Sequence, residues 1–470
     1  MRQPRTLRVI EYFLFFEKTF ILRALLFLLS TLSDFSDEVL FCLFGSSMST
    51  QASHTRTSRW TRIPSTNIAR LVTSAAGTPF LDGYSTGAAA FLIILIPKLS
   101  AWDIGLFTSL YFVGFSLGAP VIGRLADRFG RRKPFLWTFC ALIPAVLLGS
   151  LSAERFLFPA LLLSRFLCGF LLGGDYPVSQ ALVTELAPEK HQRTALSTLM
   201  LAWYIGAILA VLLFLPIAFF DLPWQTFAWL ETFFVTLFLL GRFGIPESPV
   251  WLARYVAQPS PPSEKTVLPI VRSPSDISST EIRRRFLFCA FFWSCQTIPA
   301  TVLMLYSSRI LESITGPDSA FSGVLLLYTC FLVGVLPALH PTLLKNPRRV
   351  LFGTFVVMAL ALACVAATFD GATSNVFMTS VGFILFAIAY GLQTPLDFVI
   401  PNTILPDNAR ARLVGILTMI SRVSTMGAAL LFPALAELVP INAIFLGGTL
   451  MLLAGAATSL SFAPAQTHKN

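Results

Sequence analysis

Two aspartates stand where a carboxylate is costly: Asp82 in LDGYSTG and Asp175 in GGDYP each fall inside a long apolar run. In a medium of low dielectric the charged form of a carboxyl group is disfavoured, so it takes up and releases a proton as its exposure changes. Both residues are therefore candidates for handling a proton within a membrane. Each also has a plainer reading, Asp82 as a helix cap at a membrane edge and Asp175 as the structural partner of Arg165 or another cation. Arg165 could hold an anionic ligand or fix helix packing. Tyr84, Trp203, Tyr204, Gln296, Tyr306, Tyr390, Gln393 and Asp397 are polar or aromatic residues in apolar surroundings, and each either lines a cavity for a small molecule or packs a helix.

The chemistry of a soluble enzyme is missing. GFSLG at 114–118 matches the serine-hydrolase elbow Gly-x-Ser-x-Gly, but it lies inside an apolar helical stretch with no histidine nearby, and its glycines four apart let helices pack closely. There is no HExxH, phosphate-binding loop or dinucleotide fingerprint. Cysteines lie singly and the four histidines form no cluster, so neither a metal nor a disulfide framework is expected.

The elements that position these residues follow from composition. Of 470 residues, 55% are hydrophobic and only 12% charged, about half the charge of an average soluble protein. Forty-four phenylalanines cannot all be hidden from water in a globule of this size, so much of the surface must face lipid. Windows of about 20 apolar residues fall near 77–97, 104–122, 135–152, 156–178, 195–219, 225–244, 286–309, 321–339, 350–369, 374–395, 413–435 and 441–463. This predicts an all-α membrane protein of twelve transmembrane helices in two six-helix bundles. The expected divisions are an N-terminal tail (1–75), an N-terminal bundle (76–245), a Pro- and Ser-rich central loop (246–285), a C-terminal bundle (286–463) and a short tail (464–470).

One set of loops carries eighteen lysines and arginines, against Lys98, Arg155 and Arg309 in the opposite set. The positive-inside rule then places both termini and the central loop in the cytoplasm. It also accounts for the net charge of +10 without nucleic acid as a partner. Residues 12–32 are apolar but broken by Glu17, Lys18 and Arg23, while Met48 opens a basic, serine-rich stretch. We expect translation to start at Met48, with an interfacial or thirteenth helix as the alternative.

A shift of 218 residues lays Gly173 on Gly391, Pro177 on Pro395, Pro188 on Pro406 and Arg131 on Arg349, the mark of an internal repeat. Between the second and third spans runs GRLADRFGRRKP, from Gly123 to Pro134. It resembles the signature loop of the major facilitator superfamily. SRFLCGFLLGGDYPVSQALVTELAPEKHQR (164–193) resembles the fourth helix and following loop of sugar porters, phosphate:proton symporters and aromatic-acid:proton symporters, through Arg165, Gly169, Gly173, Glu185, Pro188 and Arg193. PESPVWL (246–252) is similar to the PESPRWL that closes the sixth helix of sugar porters, with Val250 in place of arginine.

The resemblance implies the major facilitator fold and alternating access. It also implies a cytoplasmic latch drawn from Gly123, Arg124, Asp127, Arg128, Gly130, Arg131, Arg132, Glu185, Arg193, Glu247 and Arg410. The solvated-charge reading of each arginine remains beside it. In GGDYP, Asp175 occupies the position where phosphate symporters place a proton-handling aspartate. Departures are as informative. GYSTG puts Ser85 where sugar porters keep a coupling aspartate, CQTIPATVLMLY retains only Gln296 and Tyr306 of the sugar-binding seventh helix, and HPTLLKNPRR keeps the second half's positives without its acid.

The sequence thus points to proton-coupled import of a small hydrophilic metabolite, whether an organic acid, a phosphate-like anion or a sugar. The alternatives are a proton-coupled exporter or, further off, a non-transporting receptor. An exporter's helix-five Gly-Pro stretch is absent, since 195–219 holds only Gly206 and Pro216. The expected setting is a multi-pass protein of the cell (inner) membrane, working as a monomer with lipid, protons and a small-molecule substrate, with no cofactor beyond a proton gradient.

Overall fold

The computed structural model describes residues 65–95, 101–151, 158–255, 279–315, 320–340, 343–369, 375–406 and 409–461. Six long helices form the first half: α1 (Ser65–Leu95), α2 (Ala101–Phe129), α3 (Arg132–Ser150), α4 (Phe158–Leu186), α5 (Glu189–Phe219) and α6 (Thr226–Arg242). A short α7 (Pro249–Tyr255) follows. The second half holds α8 (Ser279–Thr315), α9 (Ala320–Val335), α10 (Pro347–Thr368), α11 (Val376–Gln393), α12 (Leu396–Ile404), α13 (Arg410–Leu438) and α14 (Ile441–Ser461). Every predicted span falls on one of the long helices, and the described residues contain no strand. By length and composition alone, eight of the described helices suffice to cross a membrane.

Two helices begin earlier than hydropathy predicts, and in each an arginine of the second turn bonds to a neighbouring helix end. Helix α1 starts at Ser65, inside the segment assigned to the tail. Arg70 in its second turn donates to the carbonyls of Gly241 (3.1 Å) and Phe243 at the end of α6, which meets the orphan acceptors of that helix terminus. Helix α8 starts at Ser279, inside the assigned central loop, and its Arg285 donates to the Ile404 carbonyl at 3.0 Å. Residues 1–64 and 256–278 lie outside the described residues, and with them the expected start at Met48.

The repeat read from the sequence is a repeat of packing. Helix α2 lies along α4 as α9 lies along α11, and α3 meets α4 and α6 as α10 meets α11 and α14. Glycine makes these approaches possible. A Cβ on Gly169 or Gly173 of α4 would overlap the carbonyls of Tyr111 or Phe115 on α2, and one on Gly391 of α11 would overlap that of Phe331 on α9. One difference breaks the symmetry. Helix α4 continues through Pro177, whereas its counterpart ends at Gln393, passes through Thr394 and Pro395, and resumes as α12. The halves meet chiefly where α2 packs on α13 and α5 on α9.

Large side chains including Leu117, Trp137, Leu163, Phe233, Leu237, Leu360 and Leu450 stand exposed on the outer surface. An apolar exterior of this extent is stable in hydrocarbon and not in water. Polar residues, conversely, collect inside.

The packing carries a direct test. Gly169→Leu should sharply lower the yield of monodisperse protein and its thermal midpoint, because backbone carbonyls cannot yield space. Gly353→Ala, where an added Cβ meets nothing within 4 Å, should leave both unchanged. Size-exclusion profiles and thermal unfolding in detergent read the difference.

Candidate functional site

Charged side chains are stacked through the depth of the molecule in separate layers, each held by its own partners. At the end bearing the α2–α3 turn, Glu185 takes a two-pronged bond from Arg131 (3.1 and 3.2 Å) and an ion pair from Arg410 of the other half at 3.5 Å. Asp127 pairs with Arg131 at 3.1 Å and accepts the backbone N–H of Arg412 at 2.9 Å. Glu247 accepts the backbone N–H groups of Arg131 (2.8 Å) and Arg132 (3.1 Å). Gly130 makes this possible with φ +95°, and any side chain there would strike the Glu247 carboxylate. Gly123 brings α2 against the Ala411 carbonyl of α13.

Most of the expected latch is thus assembled, with three differences. Arg124 and Arg128 are exposed, and the Arg128 guanidinium lies over Phe129 rather than on an acid. Arg193 does join the halves, but through the Leu344 carbonyl at 2.7 Å. Below the latch, the side-chain amide of Asn402 donates to that of Gln180 across the halves at 2.8 Å.

Asp175 forms the next layer, and its partner is not Arg165. It is buried against Arg242 of α6, with bonds of 2.7 and 2.8 Å, and accepts from Thr138 (2.6 Å) and Thr78. The Arg242 guanidinium also packs over the rings of Phe135 and Phe139. All these groups belong to the first half, and Asp175 does not line the central cavity. Arg165 lies ten residues earlier on α4, about 15 Å away along the helix. Of the two readings of Asp175, the geometry matches the ion-pair partner, with Arg242 in place of Arg165.

Asp82 occupies the centre. It lies about 25 Å from the start of α1 at 1.5 Å per residue, is fully buried, and accepts four bonds. Donors are Tyr111 Oη (2.7 Å), Tyr176 Oη (2.8 Å), Trp203 Nε1 (2.8 Å) and Arg422 of α13 (2.7 Å). It is no edge cap. Arg422 comes from the opposite half, about 18 Å along α13, with its guanidinium over the Phe115 ring at 4.3 Å and its side chain still 20% exposed.

That exposure faces a cavity of about 110 Å³ between the halves, whose wall includes Trp203, Tyr204, Tyr390 and Asp397 as well as Arg422. Other expected cavity residues lie elsewhere. Tyr84 donates to the Phe227 carbonyl inside the first half, Gln393 accepts from Thr354, and Gln296 stands behind the wall with its amide on Asp397. The Tyr306 side chain lies outside those described. Arg165 sits at a second, smaller cavity of about 40 Å³ with Glu231. It donates to Ser85 at 2.7 Å and lies over the rings of Phe107 and Tyr111, while its Nε and Glu231 Oε1 have no partner among the described residues.

The sequence reading missed Arg422, Arg242, Glu231, Tyr111 and Tyr176. A cation in the middle of the 413–435 span was the signal for Arg422, as a carboxylate in 225–244 was for Glu231.

Two six-helix halves closed at one end around a charged, mid-depth cavity define a secondary transporter of the major facilitator fold. Residues 29–466 match the family described as Sugar (and other) transporter, and the chain belongs to it. It is 28% identical over 417 residues to the metabolite transport protein YaaU of Escherichia coli K12, covering 84% of this chain and 91% of that one. It is likewise 28% identical over 383 residues to the inner membrane metabolite transport protein YgcS of the same organism, covering 77% and 82%. The proton:xylose symporter XylE of E. coli shares the fold with a TM-score of 0.70 at 15% identity, over 85% of this chain and 96% of XylE. The relatives are transporters and not enzymes.

Removing one member of a buried ion pair leaves the other uncompensated, at a cost of about 3–5 kcal/mol. Asp175→Asn should therefore lower the thermal midpoint strongly. The double variant Asp175→Asn with Arg242→Met should recover part of the loss, as thermal unfolding of the purified variants reads directly.

Proposed function

We propose that the protein imports an organic anion together with a proton, using Asp82 as the proton carrier and Arg422 as the anion site. The observation that carries this reading is the 2.7 Å ion pair between them, made across the two halves at the cavity wall.

A buried charge persists only with a counter-charge, which ties the two events together. In the empty cavity Arg422 is balanced by ionised Asp82. A substrate carboxylate arriving on the remaining N–H groups of Arg422 brings a second negative charge. The local charge is restored when Asp82 accepts a proton and releases the guanidinium to the substrate. Anion and proton thus enter as a neutral pair, and the cross-half tie that resists separation of α1 from α13 is cut in the same step. Tyr111, Tyr176 and Trp203 hold the carboxyl in place throughout, since hydrogen bonds from two phenols and an indole survive the loss of Arg422.

The latch end is the cytoplasmic one by the distribution of lysine and arginine. On that reading both termini are cytoplasmic and this conformation is closed towards the cytoplasm. The working unit is a monomer in the cell (inner) membrane, since the two halves of one chain complete the cavity. Inward transport follows from a proton gradient directed into the cell.

Asp82→Asn should abolish accumulation driven by an inward proton gradient in proteoliposomes while sparing substrate exchange. Arg422→Gln should abolish both. A labelled panel of monocarboxylates, inorganic phosphate and hexoses reads this, and undiminished gradient-driven accumulation by Asp82→Asn would remove Asp82 from the coupling role.

A further inference from the structure

We infer that the smaller cavity beside Arg165 binds a small monovalent anion of halide size, at a site separate from the Asp82–Arg422 pair and independent of the cargo. The cation carries the argument. Arg165 is buried and makes no ion pair among the described residues. A guanidinium keeps its charge in any surroundings, and a buried charge without a counter-charge is costly. Its neighbours do not supply one. Nη1 donates to the neutral Ser85 hydroxyl at 2.7 Å, and the rings of Phe107 (4.8 Å) and Tyr111 (4.6 Å) offer only the attraction of a π-face. Asp82 lies one turn before Ser85 on α1, but its charge is met by Arg422.

The cavity wall is rich in donors with nothing to meet them. Arg165 and Glu231 both line it, only 8% and 9% exposed, and Arg165 Nε and Glu231 Oε1 are without partners among the described residues. Ser85 accepts from Arg165, and its own proton has no acceptor among the described residues. Trp224 also lines the space, its indole N–H likewise without an acceptor there. Ser164 is committed elsewhere, to the Ala145 carbonyl at 2.6 Å, with the Cys168 thiol 4.0 Å from its hydroxyl. No donor among the described residues reaches the Glu231 carboxyl, so its ionised form would go unsupported, whereas the neutral acid has an O–H to give. An acceptor bearing one negative charge answers Arg165 Nε, Ser85 and neutral Glu231 together. A water would satisfy the bonds and leave the charge of Arg165 unmatched.

Size agrees with charge. A single water needs roughly 10–15 Å³, so a space of about 40 Å³ admits a halide and not a metabolite. Most of the remaining wall is apolar, with Val146, Leu161 and Phe227 in it. Such a lining of low dielectric strengthens each bond to the ion.

Thermal unfolding of the purified full-length protein at fixed ionic strength, with potassium gluconate replaced stepwise by chloride or bromide, tests the site. Either halide should raise the midpoint saturably, since a ligand that binds only the folded state stabilises it. Ser85→Asp brings a carboxylate to the same guanidinium, so in gluconate it should match the halide-loaded wild type and lose the response. An unchanged wild-type midpoint would overturn the site, most plainly if a response appears only in Glu231→Gln, because Glu231 is then the counter-charge. An equal rise in Ser85→Asp would overturn it as well, because the halide then acts elsewhere. Should Ser85→Asp fail to fold, the anomalous scattering of bromide in crystals decides: a peak beside Arg165 Nε supports the site, and its absence there overturns it.

Discussion

A charge inside a hydrocarbon-facing bundle must be matched by another, and the arrangement of these matches determines what the molecule can do. Asp175 finds Arg242 within its own half, so their pair survives any movement of one half against the other and serves as a fixed staple. Asp82 finds Arg422 across the divide, so their pair cannot survive such movement unchanged. The two aspartates are chemically the same and both fully buried. Only the location of the partner separates a structural ion pair from a switchable one. The latch repeats the logic near the surface, with Arg131 gathering Glu185 and Asp127 from its own half while Arg410 and Arg412 reach over from the other.

The hydrogen-bond pattern around Asp82 reinforces this division of labour. Three of its four donors are neutral groups from the first half, and the fourth is the cation from the second. Losing Arg422 leaves the carboxyl positioned and partly satisfied, so protonation need not disorder the site. The smaller cavity at Arg165 lies one step outward along the same half. Tyr111 lines neither space but joins residues at the two sites, with its ring beneath Arg165 and its hydroxyl on Asp82.

The fold was readable in the sequence because lipid demands long apolar runs, and their number and the loop charges survive any ignorance of packing. The latch was readable in part for a similar reason: Gly130 and Glu247 are special in type, whereas Arg124 and Arg128 look the same as Arg131 until the helix face is known. Asp82 stood out as an acid among apolar residues. Its partner did not, since one arginine in the 413–435 span scarcely lowers the hydropathy of that span. Pairing is a property of two helices at once, so Asp175 was read beside the arginine on its own helix, and Arg242 near the end of the 225–244 span was not singled out. Side-chain direction was equally hidden. Gln296 and Gln393 are polar residues in spans, yet both turn away from the cavity, and nothing in their spacing foretells it.

The break between α11 and α12 gives the two halves different mechanics. Helix α4 is continuous past Pro177, so a push at its latch end would be carried along its length. In the second half the same push meets an elbow at Thr394 and Pro395, where the chain leaves one helix before entering the next. Asp397 and Phe398 sit just beyond that elbow and also form part of the cavity wall. Bending there would move that piece of the wall. The second half thus has a joint where the first has an unbroken helix, and that joint borders the cavity.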